Sequence, residues 1–198
     1  MGGGSFYYGG RLARLAPTGW TYFNDVYGVV RSMTTYDDGG GESLYVGGYL
    51  SGISGVAAEK VIEWNGSTWS PLGLGIRGTA PSVLAMAVFD DGAGPALFAG
   101  GQFEVAGLVS ASNVAKWNGS AWSRLGSGVN GQVLSLAVYD DGGGPALYVA
   151  GWFSQAGGQS ASGLAKWNGN VWSPVGVGMF SVQAMAVHDD GNGQRLYV

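Results

Sequence analysis

The stretch Val133–Gly176, VLSLAVYDDGGGPALYVAGWFSQAGGQSASGLAKWNGNVWSPVG, decides how the chain is read. An apolar run from Val133 ends at Asp140-Asp141-Gly142, and a second run, Ala146 to Phe153, follows at once. A connection rich in Gly, Ser and Ala leads to Leu164-Ala165-Lys166-Trp167-Asn168-Gly169 and then to Val171-Trp172-Ser173-Pro174. The same order runs from Val83 to Gly126, from Val30 to Gly73, and in pieces at both ends. Asp-Asp-Gly begins at Asp37, Asp90, Asp140 and Asp189, at spacings of 53, 50 and 49 residues. A period near 50 residues carrying four short strand-like runs is the pattern of a β-propeller blade.

Within a unit the runs are labelled A to D. Strand A covers Val30–Tyr36, Val83–Phe89, Val133–Tyr139 and Val182–His188, and B covers Leu44–Leu50, Ala96–Phe103, Ala146–Phe153 and Leu196–Val198. C covers Lys60–Trp64, Asn113–Trp117 and Gly163–Trp167, and D covers Thr68–Leu72, Ala121–Leu125 and Val171–Val175. Trp-Asn-Gly at Trp64, Trp117 and Trp167 places Asn-Gly between two β runs, the strongest short hairpin signal. In the Asp-Asp-Gly-x-Gly turns joining A to B, Asp bonds its own backbone and Gly supplies positive φ. Small residues alternate along A (Ala85 and Ala87, Ser135 and Ala137, Ala184 and Ala186), which suits an innermost strand near a ring axis.

The ends complete the pattern. Leu12–Asp37 aligns without a gap on Leu164–Asp189, so the chain opens with strands C and D of a unit. Gly3-Gly4-Ser5-Phe6 matches Gly100-Gly101-Gln102-Phe103, and Leu196-Tyr197-Val198 are the residues that precede such a match. The expectation is one all-β domain, a propeller of four four-stranded blades. Its units span about 30–80, 81–130, 131–179, and 180–198 plus 3–29. Leu196, Tyr197 and Val198 then meet Gly3, Gly4 and Phe6 within strand B of the closing blade. Closure removes open edges that invite aggregation. The alternative is that the split strand pairs between chains and the protein self-associates.

Composition narrows the function classes. Glycine is extreme at 39 of 198 residues, yet 46% of the chain is hydrophobic, enough for a packed core. The net charge of -4, with nine scattered Lys and Arg, gives no basic footprint for nucleic acid. No apolar run approaches the ~18 residues of a membrane span, so membrane insertion is not expected. Absence of cysteine removes disulfides and thiolate metal sites. MGGGSFYYGG lacks the basic and apolar regions of a signal peptide. Low Lys with frequent Gly, Ser, Thr and Trp fits an extracellular or cell-surface protein whose signal lies outside this chain.

The pattern LYVGGxF, AGG, LAKWNGxxWxxLGxG and VxxLAVxDDG resembles the kelch-like propeller repeats of large exported bacterial proteins. It is also similar to repeats of fungal cortical polarity-marker proteins. The likeness spans nearly the whole chain and is best over Val83–Gly176. It implies a propeller with an extracellular binding or scaffolding role, and it carries no catalytic set to transfer. The first unit departs most: Arg31-Ser32-Met33-Thr34-Thr35 replaces an apolar strand, and no Trp-Asn-Gly precedes Trp20.

Candidate chemistry is sparse. Of thirteen Asp and Glu, eight are the paired turn residues. Asp90, Asp91, Asp140 and Asp141 are the candidates for calcium, since hard cations take carboxylate oxygens. Alternating Asp-x-Asp-x-Asp-Gly spacing is missing and turn structure accounts for the pairs, so no metal or cofactor is expected. His188 is the single histidine and occupies the slot of Tyr36, Phe89 and Tyr139, a packing position. No Gly-x-Ser-x-Gly elbow or phosphate loop occurs. A glycoside hydrolase needs two placed carboxylates; Glu104 is the residue one would use, but the expectation is no enzyme. Asn65-Gly66-Ser67 and Asn118-Gly119-Ser120 fit a glycosylation pattern that Asn168-Gly169-Asn170 loses while keeping Asn-Gly, so the hairpin explains all three.

Binding remains. Successive strands are antiparallel, so the B–C and D–A connections emerge on one face, opposite the Asp-Asp and Asn-Gly turns. That face carries Tyr49, Arg77, Glu104, Trp152, Met179 and Phe180, with aromatic rings beside polar groups as a shallow sugar or peptide site requires. The expected role is a non-enzymatic scaffold or recognition module with a protein or glycan ligand. A lectin-like carbohydrate-binding propeller and a self-assembling structural unit are the alternatives.

Overall fold

A computed structural model describes residues 10–176 and 181–198. These residues are all-β, with six antiparallel sheets and no helix among them. The first sheet runs β1 (Gly10–Ala16), β2 (Gly19–Asp37) and β3 (Glu42–Ile53), which also pairs the short β4 (Val56–Ala57), then β5 (Val61–Trp64) and β6 (Trp69–Pro71). After β7 (Ile76–Arg77) the second unit contains β8 (Ser82–Asp90), β9 (Pro95–Gln102), β10 (Val105–Ala106), β11 (Val109–Ser110), β12 (Val114–Trp117) and β13 (Trp122–Arg124). Strands β8, β9, β12 and β13 form its sheet, in the expected A-B-C-D order. The third unit repeats it with β14 (Gln132–Asp140), β15 (Pro145–Trp152), β16 (Gln155–Ala156), β17 (Gln159–Ser160), β18 (Leu164–Trp167) and β19 (Trp172–Pro174). A two-stranded sheet, β20 (Ala186–Asp189) with β21 (Gln194–Tyr197), follows.

The repeated residues each have a mechanical task. Oδ1 of Asp90 accepts the N–H groups of Gly92 (2.9 Å) and Gly94 (3.0 Å), and Asp37, Asp140 and Asp189 close their own A–B turns in the same way. The second Asp reaches across its own sheet. Lys116 Nζ donates to Asp91 Oδ1 at 2.6 Å, and Lys166 pairs with Asp141. Asn118 Oδ1 accepts the N–H groups of Ser120 (3.0 Å) and Ala121 (2.8 Å), as Asn65 and Asn168 do in their C–D hairpins.

Asp141 gives the sheet a pH dependence. Hydrogen bonds from Lys166 and then Tyr148 hold its carboxyl below the usual carboxylate range. A lowered folded-state value means the unfolded chain binds the proton more readily, so this contribution is present near neutrality and fades as pH falls below about 4. Lys166→Met is therefore expected to flatten the acid limb of stability against pH, read as urea midpoints at pH 3 and pH 7. An unchanged acid limb would remove Asp141 from that role.

Strand A bulges against strand B in the first three units, at Val30/Ser32, Val83/Ala85 and Val133/Ser135. Each bulge carries strand A's backbone close to strand B, and only glycine fits there: a Cβ on Gly48, Gly101 or Gly151 would overlap the carbonyl of Val29, Ser82 or Gln132. The preceding glycines serve packing between units. A Cβ on Gly47 would lie 2.6 Å from Val83 of the next unit, and one on Gly100 2.5 Å from Val133. The indole of strand D adds a bond across the same junctions, Trp122 Nε1 to Leu72 O (2.9 Å) and Trp172 Nε1 to Leu125 O (2.8 Å).

Strand D of the closing unit runs on into strand A of the first unit without the turn seen at the other junctions. In the second and third junctions Gly73 and Gly75, and Gly126 and Gly128, bend the chain with φ between 56° and 70°. Asn24 and Val26 hold the equivalent places, so D and A merge into the single 19-residue β2. Phe23 packs edge-on against Trp64 and Trp69, each at 5.2 Å. Trp20 is left 61% exposed, whereas its repeat mates Trp69, Trp122 and Trp172 are buried. Strand A of the fourth unit is shorter than expected, since Val182–Met185 form no strand. Leu196 and Tyr197 pair with Val187 and Ala186, and among the described residues no ladder joins β21 to β1. Gly3, Gly4 and Phe6, the other side of the expected closure, lie outside the described residues.

Candidate functional site

The B–C and D–A connections are bonded to each other. Strand β7, in the second D–A connection, pairs with β10 in the second B–C hairpin (Ile76↔Ala106, Arg77↔Val105), and a single bridge Val129↔Ala156 repeats this one unit on. The start of strand C supports the arrangement through a left-handed residue, Lys60, Asn113 or Gly163, with φ of 75°, 66° and 76°. Asn113 tolerates this conformation better than most residues, and its side chain binds both neighbours. Oδ1 accepts Phe103 N–H (3.0 Å) and Nδ2 donates to Val129 O (2.9 Å). Asn130 does the same for the next hairpin, accepting Ser154 N–H (2.9 Å) and Gln155 N–H (2.8 Å) and donating to Ser154 Oγ (3.0 Å).

These two asparagines frame a cavity of about 580 Å³ between the second and third units, lined also by Gln102, Glu104, Ser112, Gln132 and Trp152. Gln132 Nε2 donates to Gln102 Oε1 at 3.2 Å. Glu104 Oε1 accepts Thr79 Oγ1 at 3.0 Å, and Glu104 is the one carboxylate among the lining residues. Trp152 is 55% exposed, with its indole N–H donated to Ser181 Oγ at 2.8 Å. Gln132 and Trp152 also border a second cavity, of about 310 Å³. Arg31, Leu84, Leu134 and Gln183 line it, and these occupy one position of the sequence repeat, the second residue of the strand-A run, in all four units. The Arg31 guanidinium stands 5.5 Å from the centre of the Tyr49 ring on its rim.

Of the residues singled out from sequence, Glu104 and Trp152 border the larger cavity and Tyr49 and Trp152 the smaller. Arg77 lines neither: its guanidinium donates to Gly107 O, tying the D–A connection to a B–C hairpin tip. Met179 and Phe180 lie outside the described residues. Arg31, Gln102, Ser112, Gln132 and Gln183 were missed. Gln102 was accessible, because it aligns with Tyr49 and Trp152 as the sixth residue of the LYVGGY, LFAGGQ and LYVAGW runs. On the opposite face, Asp90, Asp91, Asp140 and Asp141 spend oxygens on turn N–H groups and lysines. No group of three or more His, Cys, Asp or Glu side chains that could hold a metal occurs among the described residues.

No family model matches the chain, and no match was found among curated proteins or solved structures.

Proposed function

We propose that the chain is a non-enzymatic recognition module, a four-bladed propeller that holds its ligand on the face built by the B–C and D–A connections. The observation that carries the reading is the convergence of Arg31, Leu84, Leu134 and Gln183 on one cavity, with the larger polar cavity opening beside it through shared Gln132 and Trp152. Four equivalent residues lining one cavity is what is expected if the units stand as propeller blades around an axis, which supports this reading. Cavities of about 300–1,000 Å³ with a few convergent polar groups are the usual setting for ligand binding. The kelch-like repeat pattern supports an exported setting for such a module.

Binding should be saturable for some member of a combined panel of soluble glycans and displayed peptides, and Trp152→Ala should remove it while Arg195→Ala, on the far turn, leaves it intact. Both positions are exposed, so both variants are expected to keep the wild-type circular dichroism. Binding that survives Trp152→Ala would put the site elsewhere.

A second reading, self-assembly, is favoured by the exposure of Trp20, Tyr22 and Tyr197, at 61%, 57% and 46%. In this reading β1 of one copy lies along β21 of another, as strand C lies along B in the second and third units. A solution mass that rises with concentration, and falls back in Trp20→Ser, would support it; a constant 20.3 kDa would end it.

A further inference from the structure

We propose that the ligand of this face is a neutral oligosaccharide, an inference that rests on the recognition reading above. The first argument is the state of the backbone around the larger cavity. A bound peptide draws its affinity largely from main-chain hydrogen bonds to an open edge. Here the N–H groups of Phe103, Glu104, Asn113, Val129 and Asn130 are already donated to protein acceptors. Of the apolar lining side chains, Phe103 and Val129 are only 3% and 1% exposed, so Trp152 is the one open apolar surface this lining offers.

What the cavity offers instead are side-chain amides, a hydroxyl and a flat ring. The single bond between Gln132 and Gln102 leaves further N–H and carbonyl capacity on both amides. Each can give and accept a hydrogen bond, which is what adjacent hydroxyls on a sugar ring require. Ser112 adds a further donor and acceptor. Trp152 supplies the apolar surface, and because its N–H is held by Ser181 the indole is fixed as a platform. A rigid, amphipathic ring of this kind gives contact area at low entropic cost.

Charge selects against acidic sugars. Glu104 is the carboxylate of the larger cavity, no Lys or Arg lines it, and the chain carries a net charge of -4. Arg31, on the smaller cavity, is engaged over Tyr49.

The test is calorimetric titration of the whole chain with cellotriose, laminaritriose, xylotriose and mannotriose, beside trigalacturonate and a displayed peptide library. At least one neutral trisaccharide should bind saturably. Trp152→Ala and Gln132→Ala should each weaken it by about tenfold or more, with unchanged circular dichroism. Binding of trigalacturonate or a peptide alone, lost in Trp152→Ala, would overturn the neutral-sugar assignment and leave the recognition site standing. Neutral-sugar binding unaffected by both substitutions would remove the site. Failure of every probe to bind would overturn both readings.

Discussion

Gly101→Ala is expected to destabilise the chain by about 3 kcal/mol, at the upper end of the usual cost of overpacking. Gly101 does not have a positive φ, so the penalty is steric. Its new methyl would overlap the Ser82 carbonyl, with the carbonyl carbon only 2.9 Å away, at the point where the bulge in β8 brings the two backbones together. Neither partner is a flexible side-chain end, so relief requires moving the backbone of the β8–β9 ladder. Total stabilities of ~5–15 kcal/mol make this a large fraction. Gly143→Ala is the matched control, since its Cβ would meet nothing closer than an Asp141 oxygen at 3.3 Å, and the second unit already carries Ala93 at that place. It should change stability by less than about 0.5 kcal/mol. Urea unfolding followed by Trp fluorescence separates the two; equal midpoints would mean the bulge is not the constraint.

Trp122→Ala should cost about 3–5 kcal/mol, the range for removing a buried large aromatic. The indole is buried against the preceding unit and its N–H caps Leu72 O, which would be left unpaired. Trp20→Ala at the same repeat position should cost less than about 0.5 kcal/mol, because Trp20 is largely exposed. The two variants thus separate repeat identity from repeat environment. A comparable loss in both would show that Trp20 is packed as its mates are, against its exposed position here.

The repeat architecture was legible because its signals are local. Asp-Asp-Gly-x-Gly turns, Asn-Gly hairpins and the alternation of strand A are chemistry within a few residues, and the structure places A, B, C and D sheets over two full units as read. What was misread is the junction ahead of the first unit. The gapless alignment of Leu12–Asp37 on Leu164–Asp189 gave separate strands D and A here, although Asn24 and Val26 replace the two glycines that turn the chain at the later junctions. The Gly-Gly pair of strand B was seen but not explained, since its meaning lies in the neighbouring unit's valine and in a bulge on the paired strand. Site residues followed the same division. Aromatic and charged residues that break the repeat, such as Trp152, Tyr49 and Glu104, stood out, whereas Gln102, Gln132 and Ser112 differ little from ordinary surface residues until folding gathers them around one cavity. Arg77 stood out equally and is spent on Gly107 O.

The proposal that four units close around one axis is tested most directly by small-angle scattering with mass determination on the intact chain. A closed arrangement of 198 residues should show the 20.3-kDa mass with a radius of gyration of about 16 Å. The same mass with a radius above roughly 20 Å would mean an open row of sheets and would contradict the ring.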